Sequence, residues 1–176
     1  MSRASNGTSW INRSHDRGDG LIPSQEKNIL ILGLGNTILT DDGVGVYVAR
    51  EIGNRIKDST VQIQEAAVGG LELLNCITGF SKVILIDAVM TGQHRIGTLL
   101  KLKPEDFEGG SATARHQIGL HEALLLGRKL EMDLPETITI YGIEVKDILT
   151  FGETCTPEVH LSIPEIVNQI IENEFH

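Results

Sequence analysis

Two short, uninterrupted apolar runs constrain the fold of this chain more than any other feature. Residues 29–32 are all aliphatic and lead into the glycine turn Gly33-Leu34-Gly35-Asn36, while residues 83–86 are all aliphatic and end at Asp87. Runs of this length bounded by turn signals are typical of strands buried on both faces. Such strands occur where helices cover both sides of a mostly parallel sheet, so the sequence predicts an α/β protein.

The segments between and after these runs alternate in the same manner. Apolar residues four apart predict a helix over 44–56, and a capping box at Ser162 and Glu165, with Pro164 in the first turn, predicts the start of a terminal helix. Further strands are predicted at 61–64, 97–102 and 137–141, and further helices at 71–77 and from His116 to about residue 130. The order β-α-β-α-β-β-α-β-α predicts three layers, with a twisted, mostly parallel or mixed sheet of about five strands and helices on both faces.

The length of 176 residues suits one domain. Residues 1–27 are polar and show no apolar period, which predicts a flexible N-terminal leader before a single α/β domain over 28–176. No apolar run approaches the roughly 18 residues of a membrane helix, and the N-terminus has no apolar signal core. We therefore expect no membrane association.

Composition argues against several other classes of protein. The two cysteines, Cys76 and Cys155, are too few for a disulfide scaffold or a four-cysteine zinc site, and they favour a reducing, cytoplasmic location. Acidic residues outnumber basic ones 24 to 15, for a net charge of −9, and aromatics make up only 4%. A chain of this kind lacks the cations and stacking surfaces that nucleic-acid binding needs.

Three places on the chain are candidates for chemistry, because ligands of open α/β sheets bind outside the carboxyl ends of the strands. They are the first loop with Asp41 and Asp42, the end of the second buried run at Asp87, and His116 before the leucine-rich helix. Each of these places also has a purely structural explanation. Either loop aspartate can cap the helix that begins at Val44, and Asp87 can cap a loop or pair with a cation. A lone histidine is often a helix cap or a half-buried packing residue. Together, two carboxylates and an imidazole make an incomplete site for a divalent first-row metal, with positions open to water or substrate.

Other familiar sites are missing from the sequence. A dinucleotide fingerprint needs a third glycine where Ile38 stands, and no phosphate-binding Gly-Lys-Ser/Thr follows the turn. No Gly-x-Ser-x-Gly supports a serine triad. Cys155 lies in a loop-like stretch, and nothing in the sequence marks it as activated.

In these same segments the chain resembles the hydrogenase maturation endopeptidases, which process the large subunit of nickel–iron hydrogenases. The matching pieces run in family order from about residue 28 to the C-terminus. They are Gly33-Leu34-Gly35-Asn36, Asp41-Asp42-Gly43-Val44-Gly45, Gly69-Gly70-Leu71-Glu72-Leu73-Leu74, Val83-Ile84-Leu85-Ile86-Asp87-Ala88-Val89, His116-Gln117-Ile118-Gly119, Gly142-Ile143-Glu144 and Thr156-Pro157-Glu158-Val159. Each piece is common, but the ordered set is specific.

The resemblance implies an endopeptidase that removes the C-terminal extension of the large-subunit precursor once nickel is inserted. It implies that Asp42, Asp87 and His116 contact the nickel carried by the precursor, with Asp42 or Asp87 as general base. The family often has Glu where Asp42 stands, and Asp41 is an alternative ligand at that position. Gly33, Gly35, Asn36 and Gly43 are expected to support the loop.

The expected partner is this precursor, with the enzyme acting as a monomer. Two rival hypotheses stay open. One is a related metal-dependent peptidase with another substrate, which would use the same three residues, and the other is a non-catalytic nickel-binding or escort protein.

Overall fold

A computed structural model describes residues 28–103, 106 and 119–175, and within these residues five strands form one sheet. The predicted leader and His116 lie outside the described residues. The strands are β1 (Ile29–Leu34), β2 (Val61–Ala66), β3 (Lys82–Val89), β4 (Leu99–Leu102) and β5 (Thr137–Glu144). Their order is β2-β1-β3-β5-β4, and every pairing is parallel except that of β4 with β5. The mixed, mostly parallel sheet is therefore confirmed.

Helices cover both faces of this sheet. The helices are α1 (Val44–Arg55), α2 (Leu71–Ile77), α3 (Leu120–Lys129) and α4 (Pro157–Phe175). Successive side chains of a strand point to opposite faces. Accordingly, Ile84 and Ile86 of β3 pack into a core with α1 and α4, while Val83 and Leu85 pack into a second core with α2 and α3. The predicted three-layer arrangement is confirmed. In the part of the chain that the structure describes, no helix has the length and apolarity to cross a membrane.

Helix α1 lies unusually close to the sheet because it presents glycine to it. A Cβ atom on Gly45 would lie 2.2 Å from the carbonyl oxygen of Ile86 and 2.5 Å from that of Leu34. No side chain fits in that space, so the start of α1 rests directly on the backbone of β3 and β1. The residues just before α1 are thereby held at the carboxyl ends of these two strands.

Strand β3 extends further than its apolar run predicts. The parallel ladder with β5 continues past Ile86, and it pairs Asp87 with Gly142 and Val89 with Glu144. Asp87 consequently lies inside the strand rather than after it. An aspartate breaks the hydrophobic pattern, but it does not break the backbone hydrogen bonds that define the strand.

The terminal helix begins five residues before the predicted position, so the capping box at Ser162 is wrong as a start signal. Pro157 occupies the first turn of α4, and Ser162 lies inside the helix, where its hydroxyl donates to the carbonyl of Val159 (2.7 Å). Pro164 also lies inside the helix. The earlier start brings Val159, which is fully buried, into the core shared with α1.

The C-terminal end of α4 is held to the sheet by one glutamate. The side chain of Glu174 is only 4% exposed and accepts hydrogen bonds from Lys82 (2.9 Å) and from the Tyr141 hydroxyl (2.7 Å). A more exposed lysine, Lys101, lies 3.3 Å away. Burial raises the pKa of Glu174, but these hydrogen bonds and the Lys82 charge outweigh it and hold the pKa below its usual value.

Replacement of Glu174 should weaken the fold in a pH-dependent way. We expect E174Q to lower the free energy of unfolding at pH 7 by about 1–3 kcal/mol, because it removes charge-assisted hydrogen bonds from a buried site. Because the pKa of Glu174 is lower in the folded state than in the unfolded state, its carboxylate stabilises the fold above the unfolded-state pKa. The difference in the free energy of unfolding between E174Q and the unmodified chain should therefore shrink as the pH falls below 4.5. Urea unfolding at several pH values measures this. The matched control is E165Q on the exposed side of α4, and an equal loss in both variants would contradict the assignment.

Candidate active site

The first loop is closed by its own side chains. Gly35 has a φ of +133°, and a Cβ there would lie 1.8 Å from the carbonyl oxygen of Asp42, so the loop requires glycine at this position. The Asp42 carboxylate is 2% exposed and accepts a hydrogen bond from the backbone N–H of Asn36 (2.8 Å). The Asn36 side chain in turn accepts from the N–H of Ile38 (3.1 Å). These contacts hold Asp42 against the end of β1.

Asp41, its neighbour, is directed to a different part of the molecule. Its two carboxylate oxygens accept from the backbone N–H of Thr156 (2.6 Å) and from the Thr156 hydroxyl (3.0 Å), and the N–H of Asp147 lies 3.3 Å away. The N–H of Asp41 also donates to the carbonyl of Asp147 (3.0 Å). We call Asp41, Asp147 and Thr156 the Asp41 clamp. It joins the first loop to the segment between β5 and α4.

The expected capping of α1 by one of these aspartates is wrong. The residue at the N-cap of α1 is Gly43, and a single 3-10 turn, Thr40–Gly43, leads directly into the helix. Because the two aspartates lie within this turn and not at the N-cap position, their carboxylates do not bind the first N–H groups of α1. Asp41 joins the clamp and Asp42 closes its own loop.

Asp87 lies at the same end of the sheet. It is fully buried in β3, and one of its oxygens accepts from the N–H of Ala88 (2.8 Å). Gly33 of β1 pairs with Ile86, and the 3-10 turn that contains Asp42 contacts β3. Asp42 and Asp87 therefore occupy the carboxyl ends of neighbouring strands. The strand pattern predicted Asp87 and one carboxylate of the first loop at this edge, and it left Asp41 and Asp42 as alternatives for the latter.

The third predicted residue, His116, lies outside the described residues, and its position relative to the two aspartates stays a prediction. The described chain resumes at Gly119, where a Cβ would lie 3.6 Å from the Cα of Gly70, so α3 begins beside the start of α2. Among the residues that the structure does describe, no three His, Cys, Asp or Glu side chains are grouped to hold a metal ion.

Sequence reasoning did not single out Glu144 as a buried site residue. Its carboxylate is 1% exposed and accepts from the Thr91 hydroxyl and from the N–H of Gly92 (2.8 Å). These bonds hold the loop that follows β3, just beyond Asp87. The prediction ended β5 at Tyr141, and only the longer strand brings Glu144 opposite Val89. The signal was the alternation of Tyr141 with Ile143, which continues the strand past its predicted end.

Cys155 does not have the properties of a nucleophile. It is 7% exposed, and burial, assisted by the nearby charge of Asp41, raises the pKa of its thiol to about 12. The thiol is therefore protonated at neutral pH, where thiolate is the reactive form. Cys155 lines a cavity of about 320 Å³ between α1 and α4, together with Tyr47 and His160.

Known proteins match the chain in both sequence and structure. The hydrogenase 2 maturation protease of Escherichia coli K12 is 27% identical over 146 residues, which cover 81% of this chain and 88% of that protein. The hydrogenase expression/formation protein HupD of Bradyrhizobium diazoefficiens is 30% identical over 144 residues, covering 77% of this chain and 72% of that protein.

Solved structures agree with these sequence matches. The hydrogenase maturating endopeptidase HybD of E. coli superposes with a TM-score of 0.70 at 28% identity, covering 83% of this chain and 91% of that one. The [NiFe] hydrogenase maturation protease HybD of Thermococcus kodakarensis gives a TM-score of 0.60 at 25% identity, with 83% and 98% covered. The family model described as hydrogenase maturation protease matches residues 46–173, and the chain belongs to the hydrogenase maturation protease family.

Proposed function

We propose that this chain is the endopeptidase that removes the C-terminal extension from a nickel–iron hydrogenase large-subunit precursor after nickel has been inserted. Proteases of this family act on hydrogenase large-subunit precursors. The observation that carries the finer proposal is the pair of buried carboxylates, Asp42 and Asp87, at the carboxyl ends of two neighbouring strands. We further propose that it acts in the cytoplasm, as a monomer on a large partner.

Nickel enters this proposal as part of the substrate. Two carboxylates that lie at one edge of the sheet offer oxygen donors to a divalent cation. His116 adds an imidazole donor in the proposal, and carboxylate with imidazole suits a first-row metal such as nickel. Three protein donors leave positions for the ligands of the precursor. Nickel held by the precursor is then bound better than a free ion, which makes the metal a specificity element.

Asp42 is the better candidate ligand of the two loop acids. Both oxygens of Asp41 accept hydrogen bonds within the Asp41 clamp, which is directed away from β3. Asp42 lies instead at the end of β1, in the turn that contacts the strand carrying Asp87. An ionised carboxylate has about four lone-pair sites, so one that accepts hydrogen bonds can still bind a metal or take up a proton. Asp42 therefore takes the position where the family often has Glu.

The hydrolytic step needs a base and an attacking water. We assign the role of base to Asp42 or Asp87. This carboxylate takes a proton from the water while the water oxygen attacks the scissile carbonyl carbon. The C–N bond then breaks, and the released amine takes up a proton. Nickel in the precursor fixes the position of the peptide relative to these acids.

The adjacent aspartates allow a matched comparison. We expect D42N to lower precursor cleavage about 100-fold or more, because it removes a proposed ligand or base, while the variant stays folded because an amide oxygen can still accept the hydrogen bond from the N–H of Asn36. D41N should do the reverse: it should destabilise the fold by about 1–3 kcal/mol through loss of charge-assisted bonds, and it should retain cleavage at a temperature where it is folded. Gel mobility of the large subunit and urea unfolding measure the two effects. Cleavage by D42N at the unmodified rate would rule out its role.

The metal proposal is tested by loading the precursor. The unmodified chain should shorten nickel-loaded precursor and leave nickel-free precursor intact, and D87A and H116A should each abolish cleavage of the loaded form. H160A is the matched control, because His160 is exposed on α4, and it should cleave normally. The mass of the large subunit is the readout. If D87A and H116A process the loaded precursor at the unmodified rate, the proposed ligand set is incorrect, and a precursor that the unmodified chain never shortens would favour the escort hypothesis.

A further inference from the structure

Three large apolar side chains extend into solvent beside the first loop. Ile38 is 51% exposed, Leu149 is 74% exposed and Phe151 is 80% exposed. We call these three residues the apolar corner. Isolated apolar residues on a surface are ordinary, but a group of them on one edge of a protein marks a contact surface.

The apolar corner is built by backbone hydrogen bonds between two loops. Phe151 forms an antiparallel bridge with Leu39, and the N–H of Gly152 donates to the carbonyl of Ile38 (3.1 Å). The side chain of Asp147 accepts from the N–H of Leu149 (3.1 Å) and holds the turn that leads to Phe151. The exposed side chains are therefore attached to defined backbone, and they are presented to solvent in a fixed arrangement.

The same contacts connect the apolar corner to the candidate active site. Asp147, which holds the Leu149 turn, also belongs to the Asp41 clamp, and its carbonyl accepts from the hydroxyl of Thr40 (2.8 Å). Ile38 lies in the loop that Asp42 closes. The corner is thus continuous with the edge of the sheet where Asp42 lies, and it is fixed relative to that carboxylate.

We propose that the apolar corner binds apolar side chains of the hydrogenase precursor near its scissile bond, an inference that rests on the proposed function. The three side chains together expose an apolar surface area of about 300 Å² to solvent. A stable protein dimer buries about 800 Å² on each partner, so this surface is too small to hold a second copy of the chain by itself. It is large enough for one anchor of a short-lived enzyme–substrate contact, in which a few central apolar residues supply most of the affinity.

The test separates substrate binding from chemistry. In steady-state cleavage of nickel-loaded precursor, F151S should raise KM about 10-fold, since a large apolar contact is lost, while kcat should stay within about twofold. I38S and L149S should raise KM by smaller factors. L161S is the matched control, because Leu161 is 78% exposed on α4, and it should leave KM unchanged. Thermal unfolding should show that all variants are folded.

Direct titration of the chain with nickel-loaded precursor measures the Kd of the complex, so the apolar corner can be tested even if no cleavage occurs. If the unmodified chain binds the precursor but never cleaves it, the proposed function is wrong, while a 10-fold weaker Kd for F151S would still support the corner. An unchanged KM and Kd for F151S would overturn the proposal, as would absence of any binding by the unmodified chain. A dimer in sedimentation that F151S dissociates would also overturn it, since the occupant would then be a second copy.

Discussion

The bond between the Asp41 carboxylate and Thr156 is the contact on which the packing of the two loops beside Asp42 depends. The two residues are 115 positions apart in the chain, and one short side chain joins the first loop to the start of the last helix. It satisfies a backbone N–H just before α4, where the first turn of a helix leaves its amides without partners. Because a carboxylate on these amides also complements the helix dipole, a single residue sets both the end of the loop and the beginning of α4.

This contact explains why two adjacent carboxylates are present in the loop. Neighbouring like charges repel each other, and a structural role alone would need only one of them. The 3-10 turn directs Asp41 toward the β5–α4 segment and Asp42 toward Asn36, so the backbone separates the two side chains. One acid holds the scaffold, and its neighbour lies at the edge of the sheet beside the strand that carries Asp87. The glycine contact of α1 with the sheet keeps this edge in place, since no side chain separates the helix from the strands.

The parts of the fold that sequence predicted well are those that depend on local pattern. The buried runs in β1 and β3 are recognisable by their continuous aliphatic residues, and they place Asp87 near the carboxyl end of the sheet, although β3 continues to Val89 and contains it. The start of α4 could not be found this way, because Ser162 imitates a cap locally while the real partner of Thr156 is distant in sequence. Glu144 was missed for a related reason, since the register of β3 with β5, and not the residue type, brings it beside Thr91.

In the function that we propose, substrate choice depends on two recognition surfaces, each of which binds only modestly by itself. A ligand set with open positions binds a free ion modestly, and an apolar corner of about 300 Å² binds a free peptide modestly. Under this proposal, a precursor that brings both nickel and an apolar segment would engage the two surfaces at once, and the second contact would become intramolecular. The hydrogen bonds of the Asp41 clamp join the two loops and so limit their relative movement. If the loops moved independently, the entropy of fixing them would offset the gain, and a nickel-free precursor would be rejected less sharply.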